Sequence, residues 1–93
     1  MLIGSLLLEM NIPAARSLKD KRSVISSLKT KLRNKFNVSV AEVGEKDLWN
    51  RADIAIVVVG DEVSFIDSQL QEIIKFVEYT KDAFIVDIKQ EIF

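Results

Sequence analysis

Apolar residues along this chain fall into six runs: three alternate at every second position, one is continuous, and two recur at three- and four-residue steps. Leu2 to Ile12 alternates. Leu2, Leu6, Leu8 and Met10 share one face, and Ile3 and Leu7 share the other with Ser5 and Glu9. Pro13 ends this predicted first strand. Leu18, Ile25, Leu28 and Leu32, with Val24 beside them, repeat at helical spacing and predict a helix from about Leu18 to Lys35. Ser17 is its expected N-cap, and Asp20, three residues on, stands where the acidic member of a capping box belongs.

Phe36 to Val43 alternates again, with Phe36, Val38 and Val40 on one face and Asn37, Ser39 and Ala41 on the other. Glu45 to Ala52 is too polar for a strand and reads as a connection with room for one helical turn. Asp53 to Gly60 is apolar on both faces, the mark of a central strand. Val63, Ile66, Leu70, Ile73, Ile74 and Val77 predict a second helix, capped by Asp61 or Ser64. Ala83 to Phe93 completes the set, with Phe84, Val86 and Ile88 on one face and Asp87 and Lys89 on the other, where charge protects an edge. The order is βαββαβ over one domain, residues 1–93. Both long crossovers must pack on the same side of a four-stranded antiparallel sheet, which predicts a ferredoxin-like α+β sandwich with two helices on one face.

That arrangement leaves the second sheet face uncovered. Ile3, Leu7 and one set from the third strand, either Ile54, Ile56 and Val58 or Ala55, Val57 and Val59, point there. A homodimer that pairs these faces is expected, because a contiguous apolar patch calls for a cover.

The net charge of −1 hides an asymmetry. Eight of the 13 basic residues lie between Arg16 and Lys35 with one acid, Asp20, so this stretch is cationic and the remainder anionic. On the predicted helix Lys19, Arg22, Lys29 and Arg33 share a face beside the apolar stripe, Lys31 lies off it, and Lys21 and Lys35 sit near the ends, where long side chains reach outward. With Arg16 and Lys21 they form a candidate phosphate-contacting surface for structured RNA. The same pattern also reads as a solvated flank that keeps a small domain soluble.

A second candidate is Trp49, the only tryptophan, with Arg51. Trp and Arg dominate interface hot spots, so the pair is a candidate partner anchor. Alternatively, Leu48 and Trp49 close the end of the core and Arg51 pairs with Asp47 or Asp53.

Catalytic chemistry finds no foothold. The chain has no His and no Cys, which removes the usual general base, thiolate nucleophile and soft metal ligands. Ser17 with Lys21 and Ser26 with Lys29 lie on a helix face expected to be wet, whereas a serine–lysine nucleophile needs a desolvated lysine. Carboxylates stand singly, and Gly4, Gly44 and Gly60 make no phosphate-cradling loop. No catalytic residue, metal, cofactor or small-molecule ligand is indicated. The fold matches an RNA-recognition motif, but the first and third strands lack the aromatics on which that domain stacks bases. No segment approaches the ~18 unbroken apolar residues of a membrane span, and the N-terminus lacks a basic leader region. A cytoplasmic location is therefore expected.

Three blocks, A-R-S-L-K-D-K-R, F-N-V-S-V-A-E-V and D-L-W-N-R-A-D, occur in this order and spacing. Together they resemble the bacterial DUF503 family, also called YlxP-like proteins, over nearly the whole chain. The resemblance implies a ferredoxin-like fold and supplies no activity, catalytic residue or cofactor. It implies an RNA or ribosome context, since members are often encoded beside genes of translation initiation and ribosome maturation. It draws attention to Arg16, Leu18, Lys19, Lys21 and Arg22, to Asn37, Ser39 and Glu42, and to Asp47, Trp49 and Arg51. The function expected from all of this is non-enzymatic RNA or ribosome association through the basic helix face; the alternative is a dimeric protein-interaction module using the Trp49 loop or the acidic surface.

Overall fold

A hydrophobic layer of 17 buried side chains separates a four-stranded sheet from two helices in the computed structural model, which describes residues 1–93. The elements are β1 (Leu2–Asn11), α1 (Leu18–Lys35), β2 (Ser39–Val43), β3 (Arg51–Gly60), α2 (Val63–Glu78) and β4 (Phe84–Ile92). The strands are antiparallel in the order β2-β3-β1-β4, the ferredoxin-like layout. β1 and β3 are the inner pair, in the register Leu6 opposite Ile56 and Leu8 opposite Ile54. These four side chains are buried under the helices together with Met10, Ala52 and Val58. The same register sends Ala55, Val57 and Val59 to the open face beside Ile3 and Leu7, which decides between the two sets the sequence left open.

α2 lies across β1, β3 and β4, with Ile66, Leu70, Ile73 and Val77 buried. It approaches β1 closely at Gly4, where an added Cβ would come within 2.3 Å of Ile66 Cγ2. α1 lies toward β2.

Four predicted details are corrected. β2 starts at Ser39 rather than Phe36, because Phe36 closes α1: its N–H donates to Leu32 O at 2.8 Å, and its ring packs edge-on against Phe76 at 5.7 Å. β3 starts two residues early, at Arg51, because β1 extends far enough to pair Asn11 with it; residues 44–50 contain no helical turn. α2 is capped by Glu62, whose side chain makes no capping bond, and neither Asp61 nor Ser64 takes that position. In β4, the register against β1 shifts between Glu9 and Met10, leaving Val86 without an opposite number. That extra residue breaks the alternation, as a bulge does. Ile88 faces Leu8 and Ile85 faces Met10, while Phe84 falls opposite Asn11, so Phe84, Val86 and Ile88 do not share a face.

Candidate nucleic-acid interface

The N-terminal end of α1 is fixed by its first residues. Ser17 Oγ accepts from Asp20 N–H at 3.1 Å, the expected cap. Asp20 reaches back one residue further than a standard capping box and accepts from Arg16 N–H at 2.9 Å. Both bonds set where the chain leaves β1 and turns into the helix, and hence where Arg16 and Lys19 stand.

Lys21 corrects the sequence reading most sharply. It was expected to reach outward, but only 1% of it is exposed. On the helix it lies three residues after Leu18 and four before Ile25, in the middle of the apolar stripe, so its side chain starts toward the core. Its ammonium donates to Lys46 O at 2.8 Å and to Arg51 O at 3.3 Å, and lies 3.0 Å from Glu42 Oε2. The Glu42 contact departs from hydrogen-bond alignment and acts through charge. Burying an ammonium is costly unless it is paired and hydrogen-bonded, and here it is both. Lys21 is therefore a structural pin from α1 to β2, to the 44–50 connection at Lys46 and to the first residue of β3, Arg51, and it leaves the phosphate-contacting set.

The pinned connection carries Leu48 and Trp49. Its last residue is held from the other side, where Ile12 N–H donates to Asn50 O at 2.7 Å. Trp49 is 54% exposed and Leu48 44% exposed. They do not close the core, contrary to one of the two readings of this segment. Pro13, Ala15, Asp47, Leu48, Trp49 and Asn50 line a groove of about 350 Å³. Arg51 pairs with Glu9 across the open sheet face, not with Asp47 or Asp53.

The remaining basic residues divide along the helix. Arg16, Lys19 and Arg22 are exposed and their side chains make no ion pair or hydrogen bond. Lys29 is half-buried and likewise unpaired. Arg33 Nη2 donates to Val40 O at 2.8 Å, covering a main-chain acceptor of the edge strand β2. The Lys35 ammonium lies 5.2 Å from the Phe76 ring and 5.9 Å from the Phe36 ring. Lys31, exposed and unpaired, lies off this flank; on the flank itself the exposed, unpaired cations are Arg16, Lys19 and Arg22, toward the start of α1. Ala15, the neighbour of Arg16, lines the groove that holds Trp49, so the two sequence candidates are brought to one end of the molecule.

Two arrangements were missed in the sequence. The Lys21–Glu42 pair had a signal, since Lys21 occupies a stripe position and Glu42 lies two residues from Val40 on the same side of its strand. The Glu9–Arg51 pair depends on strand register, which no local pattern supplies. Register also sets Glu9 opposite both Asp53 and Asp87, a carboxylate row at one end of the open face. No group of three potential ligands is placed to hold a metal ion, and no helix is long and apolar enough to cross a membrane.

Fold and site define a small ferredoxin-like α+β domain with an exposed aromatic loop pinned beside a cationic helix start. A family model described as a protein of unknown function, DUF503, matches residues 3–90, and the chain belongs to that family. It is similar to the uncharacterized protein YlxP of Bacillus subtilis (strain 168), with 36% identity over 77 residues that cover 83% of this chain and 84% of that protein.

Proposed function

We propose that this chain is a single-domain, non-enzymatic, cytoplasmic module that binds structured RNA, alone or within a ribosomal particle, through the α1 flank of Arg16, Lys19, Arg22 and Lys29. The observation that carries this reading is the set of exposed, unpaired cations at the start of α1 in an otherwise acidic domain. Arg33 contributes charge nearby while bonded to Val40 O. Each phosphate contact releases counterions, so affinity depends steeply on salt. With three or four such contacts, affinity falls roughly 40- to 150-fold between 50 and 200 mM salt. Gel-shift titration of a structured RNA at both salt concentrations, with wild type and with Arg16, Lys19 and Arg22 reversed to Glu, tests it. Loss of binding in the variant supports the reading; unchanged affinity contradicts it.

Two copies pair through the open sheet face in this proposal. Ile3, Leu7, Val57, Val59 and Phe93 supply its apolar end, and Val59 and Phe93 are well exposed in one chain. Sedimentation at micromolar concentration giving only the 10.5 kDa species would remove the dimer. A protein partner anchored by Trp49 is the second reading, favoured by the exposure of that ring; Arg51, tied to Glu9, contributes less to it.

A further inference from the structure

An exposed tryptophan on an unsupported loop would be an unremarkable surface residue. Trp49 is different in three respects. The connection that carries it is held by a buried ammonium at Lys46 O and Arg51 O and by Ile12 N–H at Asn50 O. A ring on a held segment loses little freedom when something packs against it. The ring also borders a groove rather than a flat surface, and two of the six lining residues, Asp47 and Asn50, carry hydrogen-bonding side chains. Finally, Ala15 on the groove's other wall is followed in the chain by the exposed, unpaired Arg16, and the exposed, unpaired Lys19 lies in the first turn of α1.

An aromatic face, polar groups beside it and cations a few residues away match the chemistry of one unpaired nucleotide. The base stacks on the ring, its edge meets hydrogen-bonding groups, and the phosphates on either side meet the cations. Charge complementarity favours this occupant over an apolar peptide anchor: Arg16 and Lys19, which follow Ala15 in the chain, suit phosphate, and Asp47, the one charged lining residue, suits a base N–H. The stacking platform missing from the sheet face is, in this arrangement, supplied by the loop.

We infer that Trp49 is a stacking platform for a single unpaired base of a structured RNA, with Arg16 and Lys19 on the adjoining phosphates and Asp47 and Asn50 at the base edge. This rests on the RNA reading above and names the RNA feature recognised. Lys21 acts through the loop, as a positioning residue that does not touch RNA.

Two hairpins test it, identical except that one carries a single-nucleotide bulge in its stem. The wild type is expected to prefer the bulged hairpin. Trp49→Ala is expected to lower affinity for that hairpin about tenfold, a loss in the range measured for removal of one stacked base, and to leave affinity for the unbulged hairpin unchanged. Trp49→Phe is expected to keep most of the preference. Circular dichroism melts of both variants verify that they fold. Reversal of Arg16 and Lys19 to Glu is expected to weaken binding to both hairpins. If Trp49→Ala leaves the wild-type preference intact while the charge reversal weakens both complexes, the stacking role is wrong and the RNA reading stands. If wild type binds neither hairpin at 50 mM salt, both fail. If Trp49→Ala abolishes capture of a protein partner without changing either RNA affinity, the groove belongs to a protein and the inference is overturned.

Discussion

The two helices occupy the same layer and do different work. α2 is held chiefly by apolar packing: Ile66, Leu70, Ile73 and Val77 are buried, and its N-cap side chain makes no bond. Its polar ties to the sheet are exposed ones, Gln71 donating to Gln90 Oε1 at 3.5 Å and Gln90 donating to Asp67 Oδ1 at 3.3 Å. α1 presents Ile25, Leu28 and Leu32 in the same manner, but a lysine stands at the head of the stripe and its first turn is tied by two side-chain bonds. Apolar burial is non-directional, so α2 is placed chiefly by shape, most tightly at Gly4. A buried ammonium with two carbonyls and a carboxylate around it places α1 by direction as well. The difference shows what fixes each helix: directional polar contacts at the start of α1 and in the connection beside it, and close fit against Gly4 at α2.

The comparison breaks first at Lys21. Replacing it by Met leaves the buried Oε2 of the half-buried Glu42 without its partner and is expected to cost about 3 kcal/mol, read as a lowered midpoint in urea unfolding. Adding Glu42→Leu is expected to restore most of that stability, since a well-packed apolar pair is often as stable as a buried ion pair. The restored double variant then separates fold from placement: it is expected to show lowered NMR backbone order parameters over residues 44–50 while its melt stays close to wild type. For α2, Leu70→Ala is expected to cost about 2–5 kcal/mol through a core cavity, with no change in the order parameters of residues 44–50.

Smaller effects sharpen the contrast at the caps. Ser17→Ala removes the acceptor for Asp20 N–H and is expected to cost about 1 kcal/mol. Glu62→Ala removes no capping bond in α2 and is expected to stay within about 0.5 kcal/mol of wild type. The smallest change belongs to Trp49→Ala, also expected within about 0.5 kcal/mol in thermal melts because the ring is half exposed and the loop is held by backbone contacts. A large loss of stability there would return Trp49 to the core-closing role.

Local pattern carried far in this chain because each element keeps one period along most of its length. Leu2 to Met10 alternates, so β1 and its faces were readable, and the Ser17 cap and apolar stripe put α1 at Leu18–Lys35 in advance. Readings failed where a residue's role is set by something distant. Val86 is a bulge only because β1 lies beside it. Arg51 pairs with Glu9 because β3 begins earlier than its polarity suggests. Lys21's charge and its nearness to the helix end suggest an outward side chain, whereas its position among Leu18, Ile25 and Leu28 points it inward. The candidate site was legible as two separate features, basic helix and Trp49 loop; their meeting at one end depends on the turn after Pro13 and on the hydrogen bonds of Lys21.

Because Trp49 is the only tryptophan, its fluorescence reports on the proposed groove without a label. Titrating the wild-type protein with the bulged hairpin at 50 mM salt is expected to quench that emission in a saturable curve, with a midpoint equal to the gel-shift affinity and a loss of the signal at 200 mM salt. Binding of the same hairpin with Trp49 emission unchanged would contradict the account.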